Sequence, residues 1–187
     1  MKLKDLRLAL SATPKKADIR YYLNGINITK THVSGSDGHL LCHINTYNND
    51  IPDNHDNIII PVETVKAILK KVGTKYDHVD HMKVFIFLIN GRYELHCMNQ
   101  VEIFTPINHK YPEFNKIIEP IKVNNHDENL NKILHQFNWD YVSLANKAIC
   151  KYFGDTTPKR LYSCNECGYF MPGDADSVIY VIMPCRL

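Results

Sequence analysis

The chain has 187 residues, 44% of them hydrophobic and 22% charged, with a formal net charge of +2. These values exclude wholesale disorder and are compatible with one large domain or two small ones. No apolar run approaches the ~20 residues that a membrane span needs. The opening MKLKDLRLAL lacks the apolar block of a signal peptide, so a cytoplasmic protein with no membrane partner is expected. With the net charge so small, any nucleic-acid footprint has to be local.

The first predicted helix covers residues 3–12, with Leu3, Leu6 and Leu10 on one side and Pro14 ending it. Two alternating runs follow, IRYYLNGINIT and THVSGSDGHLLCHINTY, then NIIIP as a short buried strand. A second helix begins at Pro61, carries the stripe Val62, Val65, Ile68, Leu69 and Val72, and stops at Gly73. MKVFIFLI, RYELHCM and VEIFTPI are read as strands, with Asn90-Gly91 as a hairpin turn. PIKVNNHDEN, near residues 120–130, is a polar boundary. The third helix spans 138–154, capped by Asn138 and ended by Gly154, with Tyr141, Leu144, Ala145, Ala148 and Tyr152 facing inward. RLYSC, CGYFM and VIYVIMP close the chain as strands. Helices that alternate with runs of strands point to an α+β fold with antiparallel sheets.

Chemistry-bearing residues are sparse. The six cysteines read as reduced, buried small hydrophobes; Cys164 and Cys167 have zinc-knuckle spacing but no second ligand pair nearby, and are expected to flank a hairpin turn. His78 and His81 stand without a nucleophile or carboxylate pair, so neither an enzyme, a metal nor a cofactor is expected. The basic residues are the clearer signal. Lys2, Lys4 and Arg7 lie on the first helix or at its start, Lys66, Lys70 and Lys71 on the second, and Lys147 and Lys151 on the third. Basic faces without base-reading side chains suit salt-sensitive, sequence-independent binding of DNA phosphates.

RYYLNG (20–25), SDGHLL (36–41), IIIPVETVKAILK (58–70), YPEFNKIIEP (111–120), FNWDYV (137–142) and the terminal YVIMPCRL occur in an order that resembles bacterial DNA polymerase III β sliding clamps. The resemblance implies the DNA-clamp fold, made of half-units of helix plus antiparallel strands, with helices lining a hole around duplex DNA. It makes residues 1–120 similar to the middle clamp domain and residues 121–187 to the second half of the last, about one and a half domains in all. Sharing a ring's domains among chains of this size gives about four subunits, with a trimer or a monomer as alternatives.

The resemblance also implies a cleft for short linear peptides of polymerases and other partners, with a clamp loader as a further candidate. One wall would be Leu23, Ser36, Gly38, His39, Leu41, Pro112 and Ile117. The other would be Tyr141, Val181, Met183, Pro184, Cys185, Arg186 and Leu187. Leu40 stands where the family has Arg and Cys185 where it has Met, departures that bear on peptide preference but keep the cleft apolar. Two functions follow: a compact clamp, viral in kind and working in a bacterial or phage-infected cell, or a non-ring decoy or regulator of replication or transcription machinery.

Overall fold

A computed structural model describes residues 1–48, 51, 57–74, 82–123, 137–156, 159–164, 167–172 and 177–184. The architecture is α+β. Helix α1 (Leu3–Ser11) is followed by β1 (Gly25–Thr29), β2 (His32–Ser36), β3 (Leu40–Asn45) and β4 (Asn57–Pro61). Then come α2 (Val62–Val72), β5 (Val84–Ile89), β6 (Arg92–Cys97), β7 (Gln100–Phe104) and α3 (Asn115–Val123). The chain finishes with α4 (Trp139–Phe153), β8 (Tyr162–Cys164), β9 (Cys167–Phe170) and β10 (Val178–Ile182). A seven-stranded sheet runs β4-β1-β2-β3-β10-β9-β8, and a second sheet has three strands, β5-β6-β7. The pairings recorded in both sheets are antiparallel.

The long sheet is continuous because β3 pairs with β10, from Leu40 opposite Ile182 to Ile44 opposite Val178. β10 is therefore an inner strand, as its unbroken apolar run requires. On one side of the sheets lies a core of Leu3, Leu6, Ile26, Ile28, Val65, Ile68, Val84 and Leu95. A second core joins Leu8 and Ala12 to Ala145 and Ile149 of α4 and to Cys42, Phe170 and Tyr180 of the sheet. Leu41, Ile118, Ile121, Tyr169, Ile179 and Val181 form a third on the opposite face, covered by α3.

α1 therefore serves two cores rather than presenting the single stripe expected of it. Leu3 and Leu6 enter one, Leu8 enters the other, and Leu10 is only half-buried. α2 buries all five stripe residues, and Gly73 stops it at φ +78°. α4 starts where Asn138 accepts a hydrogen bond from the Asp140 amide and ends at Gly154, φ +67°.

Two elements depart from the sequence reading. RYYLNG is not wholly extended: Tyr21–Asn24 is a 3₁₀ turn. Local polar side chains hold it, since Asn24 and Asp18 exchange hydrogen bonds of 2.8 and 2.9 Å and Arg20 pairs with Asp18. A fourth helix, α3, was not anticipated, because Pro120 lies inside it and reads as a helix breaker. Cys164 and Cys167, expected to flank a hairpin turn, stand opposite one another in register at the ends of the antiparallel strands β8 and β9.

Candidate peptide cleft and basic helix faces

The β2–β3 hairpin positions the candidate cleft. Ser36 is buried and its hydroxyl donates to the Leu40 carbonyl at 2.7 Å while accepting from the Gly38 amide at 3.0 Å. The Asp37 carboxylate accepts from the amides of His39 and Leu40 at 2.8 and 2.7 Å. Gly38 turns the chain at φ +86°, a region open to glycine and strained for other residues. This turn holds His39 outward, where its ring lies nearly parallel to that of Tyr141 on α4, 5.8 Å away between centroids.

Next to the turn, the Met183 amide donates to the His39 carbonyl at 2.8 Å, extending the β3–β10 ladder one step past Ile182. Pro184, which has no amide hydrogen to donate, follows, and β10 has ended. Met183 is exposed. Leu41 and Val181 are directly opposite in register, and Ile117 of α3 packs against the cluster that contains them both. His39, Tyr141 and Met183 thus adjoin the hairpin tip, whereas Leu41 and Val181 are buried in the core of the opposite sheet face, where Ile117 of α3 packs against them.

Leu23 and Pro112 take other places. Leu23 is enclosed at 2% exposure, in the 3₁₀ turn. Pro112 lines a separate shallow hollow with Tyr22, His109 and Tyr111. Cys185, Arg186 and Leu187 lie outside the described residues, as do His78 and His81.

Sequence reasoning missed the polar side of this tip. A hollow of about 400 Å³ is lined by His39, Leu40 and Tyr141 together with Arg20, Asp37 and Asp140. Arg20 binds Asp18 through two bonds of 2.8 and 3.0 Å and donates to the Asp37 carbonyl, and this pairing holds the Asp18 carboxyl down at about 2. The signal lay in RYYLNG itself, whose first residue had been given no role.

The basic residues divide by helix. Lys4 sits over the Tyr152 ring at 4.4 Å, and Arg7 donates to the Gly73 carbonyl at 2.7 Å. Asp5, the acid of α1, is buried and accepts from the Tyr152 hydroxyl at 2.9 Å. Because α1 packs beside α4, Lys4, Arg7, Lys147 and Lys151 share the rim of one groove. Lys2 and Lys70 are exposed. Lys66 and Lys71 have anionic partners, Glu63 at 2.9 Å and Glu102 at 2.8 Å. Exposed pairs of this kind contribute little to stability but reduce the local positive potential.

Among the described residues no group of three or more His, Cys, Asp or Glu could hold a metal ion. Cys42, Cys97 and Cys167 are buried free thiols, and burial raises the pKa values of Cys42 and Cys97. Among the described residues no helix is long and apolar enough to cross a membrane.

No protein-family model matches the chain, and no curated protein matches it in sequence. Solved structures do. A DNA polymerase sliding clamp from Pseudomonas aeruginosa superposes with a TM-score of 0.66 at 17% identity, covering 100% of this chain and 66% of that one. A putative DNA polymerase III β subunit from Eubacterium rectale gives 0.68 at 14% identity, covering 99% and 63%. A sliding clamp from Bartonella birtlesii, bound to griselimycin, gives 0.69 at 16% identity, covering 99% and 64%. This chain spans a little under two thirds of the length of these clamp chains. At such identities the likeness is one of backbone architecture, and it agrees with the motif order in the sequence: the chain has the fold of bacterial DNA polymerase III β sliding clamps.

Proposed function

We propose that this protein is a non-enzymatic sliding clamp that encircles duplex DNA and tethers a polymerase or another DNA-acting partner through a peptide cleft. Residues 1–120 act as one clamp domain and 121–187 as half of another. The observation that carries the reading is the hairpin tip, where His39, Tyr141 and Met183 come together from three distant segments. A linear peptide with Leu or Phe anchors suits this apolar, adaptable surface, and the Arg20–Asp18 pair and Asp37 orient its polar groups. Cys185, Arg186 and Leu187 complete the second wall.

The basic rims of α1 and α4, with Lys2, Lys66, Lys70 and Lys71, face the DNA backbone. Copies assemble as a closed ring, a tetramer in preference to a trimer, in the cytoplasm of a bacterial or phage-infected cell. A clamp loader is a further partner of such a ring. A second reading, a clamp-like monomer acting as decoy or regulator, is supported by the likeness to solved clamps being one of fold alone, at 14–17% identity.

Peptide binding tests the cleft. A fluorescent peptide carrying a clamp-binding Leu-Phe motif should bind the native chain, and Tyr141→Ala should weaken it about tenfold, equivalent to about 1.4 kcal/mol. Deleting residues 183–187 should abolish binding while leaving the circular-dichroism spectrum and oligomeric state unchanged. Loss of folding on that deletion would make the terminus core and remove this wall.

A further inference from the structure

The groove between α1 and α4 has a composition that DNA contact alone does not call for. It encloses about 400 Å³, within the range of small-molecule sites. Its apolar lining comes from Leu8, Leu10, Leu144, Ala148 and Tyr152, and its charged lining from Lys4, Arg7, Lys147 and Lys151. Among the described residues that line it there is no carboxylate. A site built only for phosphates would need the cations and not the aliphatic floor.

The two helices account for this pattern. Leu144 and Ala148 are four residues apart on α4, as are Lys147 and Lys151, so each pair forms a row one turn long. Lys4 and Arg7 are three apart on α1 and give the facing rim. Leu10, Leu144 and Ala148 are only half-buried, so an occupant would cover apolar surface that the fold leaves partly wet. Lys4 over the Tyr152 ring and Arg7 on the Gly73 carbonyl keep two of the cations beside the groove.

We infer that this groove binds an amphiphilic anion with a single aliphatic chain and one carboxylate head, the chain on Leu8, Leu144 and Ala148 and the head among Lys4, Arg7, Lys147 and Lys151. Charge complementarity selects the head, the aliphatic floor selects the chain, and the volume limits the ligand to one chain rather than a bilayer surface. The competition described next rests on the clamp reading; the binding does not. Because the same cations face DNA in that reading, occupancy lowers DNA affinity.

Sodium laurate below its micellar concentration is the probe, titrated into the full chain by calorimetry. One-to-one binding is expected, with no binding of acetate or of dodecyltrimethylammonium and no capture of protein by phosphatidylglycerol vesicles. Equal binding of the cationic amphiphile, or pelleting with vesicles, would overturn the inference. Ala148→Phe, which fills the groove, and Leu144→Gln, which makes its floor polar, should each weaken laurate at least tenfold. Thermal melts identify which variant is folded, and unchanged laurate binding in a folded variant would overturn the site. Laurate should also lower the affinity for DNA and the salt dependence of DNA binding in the native chain but not in Ala148→Phe. If laurate binds and DNA does not bind at all, the clamp reading fails while the site stands.

Discussion

Gly35 and Gly38 sit three residues apart on the same hairpin and are required for different reasons. A Cβ on Gly35 would lie 2.2 Å from the Ala9 carbonyl oxygen, so a side chain there would push α1 off the sheet. A Cβ on Gly38 would meet only the end of the Arg20 side chain, but at φ +86°. Gly38→Ala should therefore cost about 1 kcal/mol, and Gly35→Ala more, because backbone must move. Urea unfolding of the two variants checks the order. His43 makes a second residue-scale case. It is 7% exposed, and bonds of 3.1 Å join its two ring nitrogens to the Ser34 hydroxyl and the Asn45 side-chain oxygen. Burial, and then the neighbouring His32, lower its pKa from 6.5 to about 4, against a smaller opposing effect of Asn45. In the window between about 4 and 6.5 the unfolded chain binds the proton more readily, so stability is present above 6.5 and is lost as pH falls through that window. His43→Gln should flatten the fall in melting temperature between neutral pH and the acid end of the window.

At the scale of elements, the helices were legible where caps and stripes agreed. Asn138, the Tyr141-to-Tyr152 pattern and Gly154 fixed α4, and Pro61, the five-residue stripe and Gly73 fixed α2. Asn138→Ala should lower stability by about 1 kcal/mol through loss of the bond to the Asp140 amide, read as a shifted urea midpoint with an unchanged slope. α3 was not legible because Pro120 argues locally against the helix; burial of Ile118 and Ile121 against Leu41 and Val181 outweighs it. The RYYLNG turn was missed for the converse reason. Its alternation suggested a strand, while the Asp18–Asn24 bonds that bend it depend on residues six apart. Of the candidate cleft, the motifs located the hairpin and the β10 end. They could not tell that Leu23 is enclosed, nor that Arg20 and Asp37 supply the polar side.

The molecule as a whole joins chemistry from distant parts of the chain through one continuous sheet. Pairing of β3 with β10 brings Met183 to His39, and packing of α1 on α4 puts Lys4 and Arg7 opposite Lys147 and Lys151. The two surfaces should be separable. Lys147→Glu with Lys151→Glu should weaken duplex binding uniformly across sequences and lower its salt dependence by roughly 2 in the log–log slope, by counterion release. The same variant should hold the cleft peptide as tightly as the native chain, measured by anisotropy at matched salt.

Encirclement separates a clamp from a decoy or a simple basic protein. The most direct measurement incubates the protein with nicked circular plasmid at low salt, raises the salt, and passes the mixture over a gel-filtration column before and after a single cut. A clamp should co-elute with the circle and be released by linearisation, because retention is topological. Equal retention on both forms, or none on either, would contradict the ring.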